Sequence, residues 1–464
     1  MKKTYLFYDI ETTGLNKCFD QVLQFACIRT DPDLKEIERH AFSVKLNHDV
    51  IPSPAAIMTH RIGVNDFQKG ISELEAIQKI HALLNTPGTI SVGYNTLGFD
   101  DEFLRFSFYR NLLPPYTHQF SNQCGRMDMY PILTLYYLFK NEILKWPVDN
   151  DKISLKLENI NLENQLFQGQ AHHAMTDVEA TFALAKKLKQ DEKMWGYVIS
   201  YFQKNIDDMR LSDNLEKILL NNQNYSIGFL VTGKLGAENN FITPVLQLGP
   251  HLHYKNQILF LRLDLEELRL STRTEFKDRV YVIRKKLAEP PIFLPFKERY
   301  FELLSEKRKI DFEKNKKWLV QNESIFFDIK NFYQHHKYPL IPQRDVDAAL
   351  YDIGFPTPLD ESLFRQFHAA KPEEKSTIAE KFSNKIREEQ AIRIIGKFFP
   401  HCLSDQNKMQ FNAYLKSECV DFKGEKKLTI QKAINEIDTI RKNQALDTHQ
   451  QALLNEFERY LSCK

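Results

Sequence analysis

The chain has 464 residues, 42% of them hydrophobic and 12% aromatic, enough core material for roughly two to four domains and inconsistent with a disordered tail. Sixty-three basic residues stand against 61 acidic ones for a formal charge of +2, so any polyanionic partner must be held by a local basic groove rather than by bulk charge. Six cysteines (Cys18, Cys27, Cys124, Cys402, Cys419 and Cys463) form no CxxC pair and are too sparse for a disulfide framework, so reduced thiols are expected. Met1-Lys2-Lys3 resembles the start of a signal peptide, but Asp9 and Glu11 interrupt the apolar run that should follow. No stretch nears the roughly 18 apolar residues of a membrane span, and a cytoplasmic protein is expected.

The first predicted element is an apolar strand from Tyr5 that carries Asp9 and Glu11 and breaks at Gly14. Strand periodicity places Asp9 and Glu11 on one face beside Phe7, with Tyr8 and Ile10 on the other. Two neighbouring anions in an apolar strand are disfavoured by desolvation and repulsion unless a cation lies between them. Oxygen donors with no adjacent cysteine or histidine suit Mg²⁺ or Mn²⁺ better than zinc. The competing reading is an edge strand with solvated acids.

Strands over 22–29 and 41–46, separated by Asp31-Pro32-Asp33, extend the first into a meander. Ser72 with Glu75 reads as a capping box opening a helix whose buried stripe is Leu74, Ile77, Ile80 and Leu84. A short strand over 89–92 leads through Gly93-Tyr94-Asn95 to a helix that starts at Phe99-Asp100-Asp101-Glu102-Phe103 and runs to about Arg110. Helices are predicted over 129–140 and 175–189, with a loop at 146–151 and a helix start at Leu155-Lys156-Leu157-Glu158. Strands first and interleaved helices afterwards indicate a mixed α/β sheet with flanking helices, closing near residue 192.

From residue 225 the pattern changes to short strands with turns at Gly233 and Gly236, a small twisted barrel or sandwich. Lys307-Arg308-Lys309 with Lys314, Lys316 and Lys317, beside Phe312 and Trp318, form a basic cluster whose plainer meaning is a solvated helix face. From about 342 the pattern is helical, punctuated by Pro372 and Pro400. The expected division is therefore 1–192, 193–341 and 342–464.

Partners for Asp9 and Glu11 are found in Asp100 and in Asp177, with His172 five residues before the latter. Taken singly, Asp100 and Asp177 are more often helix caps, and His172 and His173 are more often ordinary surface histidines. Taken together, the carboxylates could hold two divalent ions about 3.5 to 4 Å apart for an in-line phosphoryl displacement. His172 would then be the general base, its ordinary pKa near 6.5 suiting proton removal near neutral pH.

These motifs resemble the DEDDh exonuclease superfamily: Asp9-Ile10-Glu11-Thr12-Thr13-Gly14, then Gly93-Tyr94-Asn95 with Phe99-Asp100-Asp101-Glu102, then His172-x4-Asp177. Within it the chain is similar to the bacterial exonuclease I family. The carriers are Phe108-Tyr109-Arg110-Asn111, Trp146-Pro147, Leu157-Glu158, Ala174-Met175, Asp177-Val178, Val346-Asp347-Ala348 and Leu350-Tyr351-Asp352. The resemblance implies a ribonuclease H-like exonuclease domain, an SH3-like β-barrel and an α-helical C-terminal domain. It implies a monomer that hydrolyses single-stranded DNA from 3′ to 5′, releases 5′-mononucleotides and serves DNA repair and recombination. Asp9, Glu11, Asp100 and Asp177 would be ligands of two Mg²⁺ ions, with Mn²⁺ able to substitute, and His172 the base. Glu11, Arg105, Tyr116, Phe120 and Lys156 would line the strand, with Phe120 stacking a base. Lys156 stands where the family tends to place an arginine, giving a point charge instead of a planar fork. The resemblance further implies docking of the acidic C-terminal tail of single-stranded DNA-binding protein, with Arg308, Lys317, Arg387 and Arg393 as candidate contacts. Two other functions fit parts of the pattern: an RNA-directed DEDDh enzyme, which the additional ~270 residues disfavour, and a binding module with a dead site, which the intact set of acids and histidine disfavours.

Overall fold

Thr4–Thr12 forms β1, and its alternation sorts its side chains as strand geometry requires. Leu6, Tyr8 and Ile10 enter a core with Val22, Phe25 and Ile77, while the Phe7 ring packs 5.2 Å from that of Phe182. The computed structural model describes residues 3–169, 173–212 and 216–464. After β1 come β2 (Val22–Thr30), β3 (Glu36–Ser43), α1 (Pro54–His60), α2 (Glu73–Leu84), β4 (Thr89–Gly93), α3 (Asp100–Arg110) and β5 (Gly125–Asp128). Then follow α4 (Met129–Phe139), the strands β6 (Val148–Asp149) and β7 (Lys152–Ile153), α5 (Leu157–Asn164) and α6 (Ala174–Leu188).

The five-stranded sheet has the order β3-β2-β1-β4-β5, with β4 parallel to β1 and the β1-β2-β3 meander antiparallel, which is the mixed sheet expected. β4 pairs only with Thr4–Phe7 of β1, and the β1–β2 register shifts between Glu11 and Thr12. The stretch from Asp9 to Glu11 is therefore paired to β2 alone, and a bulge re-aims the chain just beyond it. Here the sheet leaves room for chemistry.

The chain packs as two compact units, one of Met1–Arg126, Phe167–Phe182 and Leu340–Lys464, the other of Met127–Leu166 and Ala183–Pro339. In the first, the C-terminal helices share cores with the sheet domain. Phe106, Tyr109 and Leu112 of α3 and its exit pack with Leu363, Phe364, Phe367 and Ile395, and Leu23, Leu46 and Ile57 pack with Ile437, Leu454 and Phe457. Buried ion pairs follow the same seams: Asp49 accepts from Tyr414, Lys397 and Lys427 at 2.8, 3.0 and 3.2 Å. In the second unit, β9 (Gln223–Val231), β10 (Ile242–Pro250), β11 (Gln257–Arg262), β12 (Val282–Lys286) and β13 (Ile292–Pro295) form an antiparallel sheet in the order β12-β11-β10-β9-β13, and Lys217–Leu220, β8, pairs with β9. Helices Glu306–Gln321 and Glu323–His335 cover one face through Phe312, Leu319, Phe326 and Ile329.

Several expectations are corrected. The third strand spans Glu36–Ser43, not 41–46, because the polar run Glu36-Ile37-Glu38-Arg39-His40 is a solvent-facing edge that pairs with β2 all the same. Ser72 caps α2 by accepting from the Glu75 N–H, but the Glu75 carboxylate turns away to Lys79 at 2.8 Å, so no reciprocal box forms. The stretch 146–151 is partly the β6 strand of a two-stranded hairpin. Within the basic cluster, Lys307 pairs with Asp311 and Lys309 with Glu302 and Glu306, which is the solvated-face meaning of such a run. Arg308 is buried, donating to Asp264 and to the Asn239 and Ile242 carbonyls. Arg387 and Arg393 are also buried, facing Asp360 at 3.4 Å and Asp345 and Asp347 at 2.6 and 3.0 Å. Of the four cations named for tail docking, Lys317 alone is exposed.

Candidate active site

Three segments of the first unit converge on the end of β1. Asp9 and Glu11 come from β1, Asp177 from the first turn of α6, and one carboxylate oxygen of each lies within 4.8 Å of the others. Asp100, which opens α3, lies outside that tight group but close enough for its charge to act on both Asp9 and Glu11. It is delivered by the Gly93-Tyr94-Asn95 turn, in which Asn95 takes a left-handed φ of 61° and a Cβ on Gly93 would come within 2.1 Å of the Thr96 methyl. A Cβ on Gly14 would likewise press on the Asp20 carboxylate at 2.5 Å, which the Thr13 hydroxyl and the Asn16 N–H hold in place.

The acidic residues of α3's first turn divide the work by direction. Asp101 points inward, its carboxylate accepting from Arg126 at 2.6 Å and His118 at 3.0 Å, with Arg105 at 3.5 Å. Despite burial, these neighbours, Arg126 foremost, hold its carboxyl far below the usual range. Glu102 pairs with Lys17 and accepts from the Tyr351 hydroxyl at 2.5 Å, and its pKa is lowered against the effect of burial, chiefly by the Lys17 hydrogen bond. The helix start is thus anchored on both flanks of Asp100. Asp101 carries no local sequence signal for this role, because its partners Arg105, His118, Gln119 and Arg126 lie 4, 17, 18 and 25 residues away along the chain.

The electrostatics of Asp9 and Glu11 are those of buried acids crowded by other acids. Burial pushes Asp9 well above the ordinary carboxylate range, and the charges of Asp100, Glu11 and Asp177 add to it. Glu11 is pushed up to about 9 by burial and then by Asp177 and Asp100. An all-oxygen donor set under this mutual repulsion fits a hard divalent cation, which would return the acids to their charged forms. A pH consequence follows. Because these folded-state pKa values lie above those of the unfolded chain, the contribution to stability is complete below about pH 4.3 and is lost as pH rises through about 9 for Glu11. Metal-free protein should therefore melt at progressively lower temperature across that window, and a divalent cation should flatten the dependence. A melting temperature equally pH-dependent with and without the cation would contradict the assignment.

The other expected site residues are distributed as follows. His172 lies outside the described residues; His173 is exposed, and its carbonyl accepts from the N–H groups of Thr176 and Asp177. Arg105 is buried, with its guanidinium 5.7 Å from the Tyr116 ring centre. Tyr116 is half-buried with its ring against Phe355 at 5.2 Å, and Phe120 is 64% exposed. Lys156 belongs to the second unit, where it sits at the N-cap of α5, exposed and 3.9 Å from Asp149.

A carboxylate cluster at the end of the first strand of a mixed sheet, with further acids on two helices, defines the exonuclease class of α/β domain, and the Exonuclease family model matches residues 6–185. The Exonuclease I C-terminal domain model matches residues 344–463. Exodeoxyribonuclease I of Buchnera aphidicola subsp. Acyrthosiphon pisum is 30% identical over 71% of this chain and 84% of its own length. That of Haemophilus influenzae is 32% identical over 62% of this chain and 60% of its own. A zinc-bound E. coli exonuclease I–single-stranded DNA complex resembles the structure with a TM-score of 0.83 at 25% identity, covering 100% of this chain and 99% of that one. The chain belongs to the exodeoxyribonuclease I family. Among the described residues no helix is long and apolar enough to cross a membrane.

Proposed function

We propose that this chain is a 3′-to-5′ exonuclease of single-stranded DNA that releases 5′-mononucleotides by a two-metal-ion reaction. The observation that carries it is the convergence of Asp9, Glu11 and Asp177 within 4.8 Å under the field of Asp100. In this reading Asp9, Glu11, Asp100 and Asp177 hold two Mg²⁺ ions. Bound there, the ions supply charge stabilisation for an in-line displacement at phosphorus. Glu11 also borders the terminal nucleotide. His172 removes a proton from the attacking water, while Arg105, Tyr116, Phe120 and Lys156 guide the strand. We read 1–192 as the exonuclease domain, 193–341 as the SH3-like domain and 342–464 as the helical C-terminal domain. The protein works as a cytoplasmic monomer in repair and recombination and docks the acidic tail of single-stranded DNA-binding protein.

A 3′-end-labelled single strand with Mg²⁺ tests the central reading: label should leave first as a mononucleotide, and a 3′-blocked strand should survive. Loss from the 5′ end would overturn the polarity. Equal turnover of an RNA oligomer would favour the ribonuclease alternative, and metal-independent binding without turnover would favour the binding module. His172→Ala should lower kcat by about 10²-fold or more with little change in strand affinity, since a general base is typically worth 10²- to 10⁴-fold. His173→Ala should be mild. Sensitivity at His173 in place of His172 would move the base by one residue.

A further inference from the structure

A second group of metal-ligating side chains stands in the helical C-terminal region, where Glu373, His401 and Cys402 each offer one ligand atom and these atoms lie within 4.8 Å of one another. They come from two short 3-10 turns, Pro372–Glu374 and Pro400–Cys402, each opened by a proline that fixes its backbone at the first position. The helix Lys375–Ala379, which continues directly from the first turn, is tied to the second by the Ser376 hydroxyl, which donates to the Cys402 carbonyl at 2.9 Å across 26 residues of sequence. The two ligand-bearing turns are thus held near one another. Glu373 and His401 are exposed and Cys402 is half-buried. Among the described residues, none of the three side chains makes a hydrogen bond or ion pair elsewhere.

We propose that Glu373, His401 and Cys402 form a binding site for Zn²⁺ or a similar borderline-soft divalent cation. Thiolate, imidazole and carboxylate are the zinc donor types, whereas the catalytic acids offer oxygen alone. At zinc–ligand distances of about 2.0 to 2.3 Å a tetrahedral ion needs its ligand atoms roughly 3.3 to 3.7 Å apart, so the three atoms must close by no more than about 1.5 Å. Rotation of the exposed Glu373 and His401 side chains supplies that without moving backbone. The fourth position stays open to water or to a donor from a partner. Binding replaces the thiol proton with the metal: the Cys402 S–H bond breaks, its electron pair forms the sulfur–metal bond, and the proton goes to solvent, so affinity increases with pH.

The test uses Co²⁺ as a spectroscopic stand-in on the full-length chain, reduced with a phosphine. A thiolate-to-cobalt charge-transfer absorption reports sulfur ligation, to which the catalytic acids cannot contribute. We expect one equivalent to produce the band, Zn²⁺ to abolish it, and Cys463→Ser, which removes the other non-buried thiol, to leave it unchanged. Cys402→Ser should remove the band, and His401→Ala and Glu373→Gln should each weaken Co²⁺ binding by about tenfold or more, with unaltered circular dichroism showing that the variants are folded. No band in the parent, a band that survives Cys402→Ser, or parental affinity in either of the other two variants would overturn the site. This outcome is independent of strand hydrolysis.

Discussion

Asp9→Ala is expected to lower single-strand hydrolysis by at least about 10³-fold, a scale typical of losing one element of a preorganised charge-stabilising site, while strand affinity stays close to that of the parent. Burial raises the pKa of Asp9, and Asp100, Glu11 and Asp177 all raise it further. In the proposed two-metal site its removal takes away one ligand and leaves the surfaces proposed to hold phosphates untouched. The same variant has a second signature. Deleting one anion from a repelling group relieves strain in the metal-free protein, so Asp9→Ala in a chelator should melt higher than the parent, not lower. Loss of activity with a lower melting temperature would point to a folding defect. Comparable loss of binding and turnover would contradict the ligand role.

Much of this site is legible in the sequence because its parts obey local rules. The two-residue period of β1 places Asp9 and Glu11 together, and the glycine at position 93 marks a turn that no larger residue fits. The helices α2, α3, α4 and α6 fall within a residue or two of their predicted bounds because their apolar stripes are complete. What stays hidden depends on partners distant in sequence. Arg308, Arg387 and Arg393 read as available cations until Asp264, Asp360, Asp345 and Asp347 are seen beside them. Strand β3 reads too short from its residues because an edge needs no alternation on its solvent side. Asp101, which fixes the helix start next to Asp100, is invisible as a positioning residue for the same reason as the arginines.

The second large effect concerns a chain ended near residue 341. Sequence alone suggests that such a chain, if it folds, keeps hydrolysing short oligomers while releasing long strands sooner. The packing of the first unit gives a different expectation: the shortened chain should lose cooperative folding. Phe19, Leu74, Phe106 and Leu112 belong to a core completed by residues from Ala348 to Cys419, and Leu23, Leu46, Val50, Ile57 and Phe67 to one completed by residues from Ala433 to Leu461. If half the burial of each of these nine side chains is lost at about 1 kcal/mol apiece, the sum is roughly 9 kcal/mol. A whole domain's stability is only about 5 to 15 kcal/mol. Asp49 would in addition lose Tyr414, Lys397 and Lys427 together and stand as a carboxylate without its buried cations. Urea unfolding followed by circular dichroism should show a broad, low-amplitude transition for the shortened chain, and it should not hydrolyse even short oligomers. A sharp transition with retained turnover would show that the C-terminal helices are an accessory after all. Because deletion removes part of the first unit's own core, what these helices add to strand holding has to be read in the full-length protein. Exposed lysines neutralised one at a time should each flatten the salt slope of single-strand binding by about 0.7 where the lysine meets a phosphate, and leave it unchanged where it does not.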